Sequence, residues 1–240
     1  VTGQDDRKYR RPEPSFARAI AKALGGARSV LEVRSDDGAG SYSPADAAVT
    51  TVPPAATAAR LPFADDDDDA GAFDASVVTF SLDEWDDLEH GLAELRRVTR
   101  GPIVVLTRDP ARVERSWLAE YAPEVTAAEA HALPTLDRIA AALGDDVVTT
   151  TTLPIPFTCV DGFSEAYYAR PERLLDPGAR RADPAWSRVD EMTARRSVAA
   201  LRTAIESGEW DRRYGALRVR PSYEGSLVLV TAIPTDEPVG

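Results

Sequence analysis

Three observations predict a three-layer α/β fold around a largely parallel sheet. Helix-like and strand-like patterns alternate through both halves of the 240-residue chain. A β-branched run, Ser29-Val30-Leu31-Glu32-Val33, feeds a loop that ends Gly38-Ala39-Gly40-Ser41-Tyr42. That is how a first parallel strand enters a ligand-binding turn. Phe73 to Phe80 and Ile103 to Thr107 then read as buried core strands.

The length suits one domain with a sizeable core, and residues 1–240 read as a single unit. Hydrophobic residues at 43% and charged residues at 28% are ordinary globular values. A net charge of −12 argues against nucleic acid as a partner, because phosphate binding needs a basic face. No apolar run approaches a membrane span, and Val1-Thr2-Gly3-Gln4 shows no signal-peptide pattern, so the expected location is cytoplasmic. Cys159 is the single cysteine, which excludes an internal disulfide and a multi-cysteine metal site. His90 and His131 are isolated, and no metal is expected.

Residues 1–14 are polar and carry Pro12 and Pro14, which forbid a helix interior. Ser15 to Leu24 predicts a helix with Phe16, Ala19, Ile20 and Ala23 on one face, stopped by Gly25-Gly26. Ala48 to Val52 is a short second strand. Only eight residues, Pro53 to Arg60, then precede Leu61-Pro62-Phe63. A crossover with its helix needs at least about 10–12 residues, so no full helix-plus-strand unit fits there. The run Asp65 to Asp69 reads as a solvated loop, and the spacing of a calcium loop is absent. Leu88, Leu92, Leu95 and Val98 mark an amphipathic helix that Gly101-Pro102 ends. Residues 108–134 and 161–215 are helical additions that cap the sheet's carboxyl end. Between them, Thr135 caps a helix through Leu143, and Val147 to Leu153 is a threonine-rich strand. The last helix spans about 190–207, and Ser226 to Ile233 is the final strand.

The loop after the first strand resembles that of the class I S-adenosylmethionine (SAM)-dependent methyltransferases, in particular a group of small-molecule methyltransferase-like proteins common in high-GC actinobacteria. Val33, Gly38, Gly40, Ser41 and Tyr42 match a Val-Gly-Ala-Gly-Thr-Gly-Ser-Tyr pattern, and residues 73–107 keep the order that follows. The resemblance implies a Rossmann-like methyltransferase fold, with Glu32, Gly38 and Gly40 as a vestigial SAM loop. It also exposes departures. Arg34-Ser35 is inserted, Asp36 replaces the first glycine, and Pro53 stands where an acidic residue accepts the ribose hydroxyls. The short 53–60 connection leaves the adenine wall without its edge strand. The expected cofactor is therefore none, and SAM use is expected to be lost.

In that family a Tyr/Arg-rich segment lies across the pocket, which implicates Tyr9, Arg10 and Arg11 in substrate binding. A solvated N-terminal arm is the alternative. Asp83 and Glu84 stand where relatives carry a His-His pair, with Trp85 retained. Such paired carboxylates can serve as a general base or hold an amine, or can be the acidic first turn of the next helix. Arg108, Arg212 and Arg213 join the arm arginines as a cationic lining for an anionic substrate, or as surface charge. Tyr168 is either a stacking platform or cap packing.

Three functional classes follow. One is a repurposed methyltransferase-like protein of bacterial specialised metabolism, acting as a lyase or cyclase (azabicycle- or aziridine-forming pathways being the family-level analogy). This class includes a subunit of a two-component enzyme. The others are an active small-molecule methyltransferase and a non-catalytic stabilising partner. A protein partner or a second copy is expected at the reduced sheet edge, because an open edge templates association.

Overall fold

The computed structural model describes residues 8–35, 39–63 and 73–235. Asp36, Asp37, Gly38 and the aspartate run 65–69 lie outside them. The first helix, α1 (Pro14–Leu24), starts with proline at its first turn and buries Phe16, Ile20 and Leu24, one helical turn apart. Glu13 caps it through Ser15 N at 3.2 Å, and Gly25 ends it at φ +62°.

Strand β1 (Ser29–Arg34) lies between β2 (Ala48–Val52) and β3 (Ala75–Thr79), parallel to both. Strand β4 (Ile103–Arg108) adds in parallel to β3. The final strand β8 (Leu227–Ile233) inserts antiparallel between β4 and β5 (Val147–Thr152). The order is β2-β1-β3-β4-β8-β5. The last strand is thus interior, and the threonine-rich β5 forms one edge. A small hairpin-like pair joins β6 (Ile155–Pro156) to β7 (Ser222–Tyr223).

Between Val52 and Leu61 the chain makes only a short 3₁₀ turn, Pro54–Ala58. The chain-reach argument predicts this: no helix of three turns and no extra strand is found there. Strand β2 is therefore the sheet edge on that side among the described residues.

Two apolar cores cover the two faces of the sheet. One joins α1 and the cap around Trp117, Phe163, Tyr168 and Trp210. The other packs α2 (Leu88–Arg97) and the later helix Leu136–Ala142 against Leu31, Val33, Val78 and Val105. Helix α2 begins at Asp87, whose side chain accepts from His90 N at 2.9 Å. Asp83 and Glu84 are consequently not its first turn; they sit on a separate 3₁₀ turn, Leu82–Glu84. The remaining helices are α3 (Pro110–Val113), α4 (Pro123–Ala132), α5 (the Leu136–Ala142 helix), α6 (Pro177–Arg181), α7 (Glu191–Glu206) and α8 (Glu209–Tyr214). Of these, α5 lies under the sheet's other face. No helix among the described residues is long and apolar enough to cross a membrane.

Candidate functional site

The carboxyl ends of β1, β3 and β4 open into a cleft of about 250 Å³. This is where parallel strands leave their loops, and it is the usual ligand position in such sheets. Arg34, Ser35, Ala39 and Gly40 form one wall. Thr79, Phe80, Thr107 and Arg108 form the floor. The cap supplies Glu129, Leu133, Phe163, Ala185 and Arg188, and the N-terminal arm adds Arg10.

Each charge placed here meets a partner. Arg10 pairs with Asp161, Arg108 with Glu129, and Arg188 with Asp83. Arg34 Nε reaches Glu32 Oε2 at 3.2 Å, and Ser35 donates to Glu84. Two of the guanidiniums also lie on aromatic faces. Arg10 is 5.4 Å from the Phe80 ring and Arg108 5.5 Å from that of Phe163, while the two rings are 5.7 Å apart. Phe80 takes a left-handed backbone, φ +48°, directly after β3. A bulky residue in that conformation carries strain, which cleft-lining residues commonly do.

A buried network binds three distant segments at the cleft's rear. Asp161 is fully buried and takes Arg10 on one oxygen and the Tyr42 hydroxyl on the other at 2.6 Å. Tyr42 in turn accepts from Glu13 N at 3.1 Å. Burial opposes the charge on Arg10, but Asp161 beside it wins and holds the guanidinium protonated. Burial, reinforced by Asp161, pushes the Tyr42 hydroxyl above its ordinary range, so it stays a donor. The Cys159 thiol is pushed up by burial and again by Asp161, which makes it a poor nucleophile.

Glu32 is also fully buried. Its Oε1 accepts from Ser41 Oγ, Tyr42 N and Ser43 Oγ at 2.9–3.1 Å. Its Oε2 takes Arg34 and, at 3.4 Å, Thr51. Both oxygens are therefore spent on holding the chain around the loop. Gly40 sits at φ +102°, a conformation that favours glycine, and an added Cβ would meet Pro12 only at ordinary contact.

Among the sequence candidates, Arg10, Arg108, Asp83, Glu84 and Gly40 line the cleft. Tyr9, Arg11, Trp85 and Tyr168 do not. Tyr9 donates to Asp176 at 2.8 Å, and Arg11 is exposed. Trp85 packs over Gly91 of α2, and Tyr168 stacks on Tyr223 while donating to the Arg220 carbonyl. Arg212 and Arg213 pair with Glu209 and Glu120 instead. Arg34, Phe80, Glu129, Phe163 and Arg188 were not singled out in the sequence. Only Arg34 carried a local signal, as part of the two-residue insertion after β1. No group of three or more potential metal ligands occurs among the described residues.

This architecture places four parallel strands, one antiparallel strand inserted before the last, and a capped cleft after the first strand's loop. A protein of Anabaena variabilis, described as a methyltransferase from an antibiotic biosynthesis pathway, superposes with a TM-score of 0.79. The match covers 94% of this chain and 99% of that one at 20% identity. The chain has the class I SAM-dependent methyltransferase fold. Weaker likenesses include the Bacillus subtilis YcgJ protein (TM-score 0.48, 14% identity, 93% and 99% of the two chains). Another is the [4+2]-cyclase SpnF (0.46, 15%, 94% and 80%). No protein-family model matches the chain, and no curated protein does. At these identities the likeness speaks for the methyltransferase fold alone.

Proposed function

We propose that this methyltransferase-fold chain binds a small molecule in its cleft without using SAM. It serves bacterial specialised metabolism as a non-methylating catalyst, a lyase or cyclase, alone or as a subunit of a two-component enzyme. One observation carries the reading: none of the cleft's described lining comes from β2 or from residues 53–63. That is the side on which the fold accommodates a nucleoside. Pro53 has no acceptor side chain at the end of β2, and Glu32 has no oxygen to spare. The cleft, at about 250 Å³, also falls below the roughly 300–1,000 Å³ of drug-sized sites.

The chemistry left to the cleft is acid–base and electrostatic. Among the described residues Arg108 is ion-paired only to Glu129, which leaves guanidinium N–H groups to meet a carboxylate. Phe80 and Phe163 offer an apolar wall beside it, and Asp83, Glu84 and Glu129 can exchange protons with a bound molecule.

The test is a thermal-shift titration with SAM and S-adenosylhomocysteine. A ligand that binds only the native state stabilises it in proportion to ln(1 + [L]/Kd), about 2.7 kcal/mol at a hundredfold excess over Kd. The expected result is no rise in Tm with either compound at sub-millimolar concentration. A clear rise at low micromolar SAM would replace this reading with that of an active small-molecule methyltransferase.

A further inference from the structure

Beside the cleft lies a second, small cavity of about 10 Å³, on the order of the 10–15 Å³ that one water needs. Its lining is mixed: Arg108, Glu129, Ser164 and Ser226 bring polar groups, and Val113 and Leu118 bring apolar ones. Two of these residues, Arg108 and Glu129, also face the main cleft. The opposite wall is Glu165, which additionally borders an open groove on the outer face beside Arg112, Arg115 and Tyr223. The cleft, the small cavity and the outer groove therefore share carboxyl-bearing walls in series.

Glu165 is 4% exposed, and its two oxygens are treated differently. Oε2 accepts from Ser226 N at 2.9 Å and from Ser226 Oγ. Oε1 is buried with no hydrogen-bond partner among the described residues, whereas Oε1 of Glu129 is taken by the Arg108 guanidinium. An unpartnered carboxylate oxygen is costly in a protein interior, whereas a neutral carboxyl can donate to a water in the adjoining cavity.

We propose that Glu165 is a buried proton donor for the cleft, connected to it through the small cavity and Glu129. In the step, the Glu165 O–H bond breaks and a water oxygen takes the proton. A proton of the same water passes to a Glu129 carboxylate oxygen, leaving the water neutral. Glu165 regains its proton from solvent through the outer groove. The purpose of the relay rests on the cleft being the reactive site, as proposed above, but the connection itself stands on the geometry. Burial supports it by pushing the Glu165 carboxyl above the usual carboxylate range. Hydrogen bonds from Ser226 and the charges of Arg108 and Arg112 offset this only in part. The other charged or titratable groups facing Glu165 are Glu129 across the cavity, and Arg115, Tyr223 and Glu224 at the groove.

The experiment needs no cleft ligand, so its failure is separate from that of the SAM titration. The infrared band of protonated carboxyl groups is followed against pH in the full chain, together with urea unfolding. A group with a raised native pKa keeps its proton when folded after losing it unfolded, so stability falls as pH rises between the two values. The wild type is expected to retain a protonated-carboxyl band above the ordinary glutamate range and to show that falling stability. Glu165→Gln should abolish both. Glu129→Gln should move the band's midpoint to lower pH, because a neighbouring negative charge is lost and Arg108 is freed. Ser226→Ala, which removes one donor to the carboxylate, should move it to higher pH and serves if Glu165→Gln fails to fold. Absence of the band, its survival in Glu165→Gln, or a midpoint unmoved by Glu129→Gln or by Ser226→Ala would overturn the proposal.

Discussion

Asp161 is fully buried, yet it holds an arginine from residue 10 and a tyrosine from residue 42. The desolvation cost of such a pair is met only while both charges and their hydrogen bonds are in place. Asp161→Asn keeps an acceptor for Tyr42 but leaves the buried Arg10 guanidinium without its counter-charge. The expected loss is about 3–5 kcal/mol of unfolding free energy, measured by urea denaturation; a loss under about 1 kcal/mol would mean that Asp183 takes over the pairing. Nothing in the local pattern Val160-Asp161-Gly162 announces this role, because its partners lie more than a hundred residues away. The same limit explains why only some of the candidates line the cleft. Asp83, Glu84 and Arg108 were legible because strand ends in a parallel sheet converge on one side. Tyr9 and Tyr168 are aromatic residues whose direction depends on packing, and packing turned Tyr9 to Asp176 and Tyr168 to Tyr223.

At the scale of elements, β-branched runs and leucine spacing made the six strands of the main sheet and α2 readable to within one or two residues of their ends, while the short pair β6 and β7 carried no such signal. The short 3₁₀ turn after β2 followed from chain reach alone. The interior position of β8 did not follow, because sequence order says little about where a final strand inserts. Gly101 shows a further constraint hidden from pattern reading. It reads as a helix stop, but in the structure an added Cβ would collide with the backbone carbonyl of Asp74, just before β3. Replacing glycine with alanine outside a left-handed conformation commonly stabilises by about 0.4–1 kcal/mol through the unfolded chain. Here the amino-terminal ends of β3 and β4 must part to admit the methyl, and overpacking costs about 1–3 kcal/mol. Gly101→Ala is therefore expected to lower Tm, and an unchanged or raised Tm would show that this junction yields freely.

The whole molecule leaves two edges to its sheet. On β2 the residues Ala48 to Thr51 are exposed, and on β5 Val147 is 55% exposed beside the exposed Thr149, Thr150 and Thr151. Proteins normally charge, cover or pair such strands, since unpaired N–H and C=O groups invite another chain. Neither strand carries a charged residue, although the chain as a whole bears a net −12. The β2 edge is the more telling, because it stands where the fold otherwise extends by a helix and a strand, and because the cleft does not reach it. We therefore expect a different subunit to dock along β2, completing the sheet and carrying or sharing the active site. Size-exclusion chromatography with light scattering, on the chain alone and co-expressed with its neighbouring gene products, should reveal a stable heteromer. Val49→Lys, a change at a 38%-exposed β2 position, should weaken that heteromer without altering the Tm of the isolated chain. A monomer that performs its reaction unaided would end the proposal, and so would a heteromer indifferent to Val49→Lys.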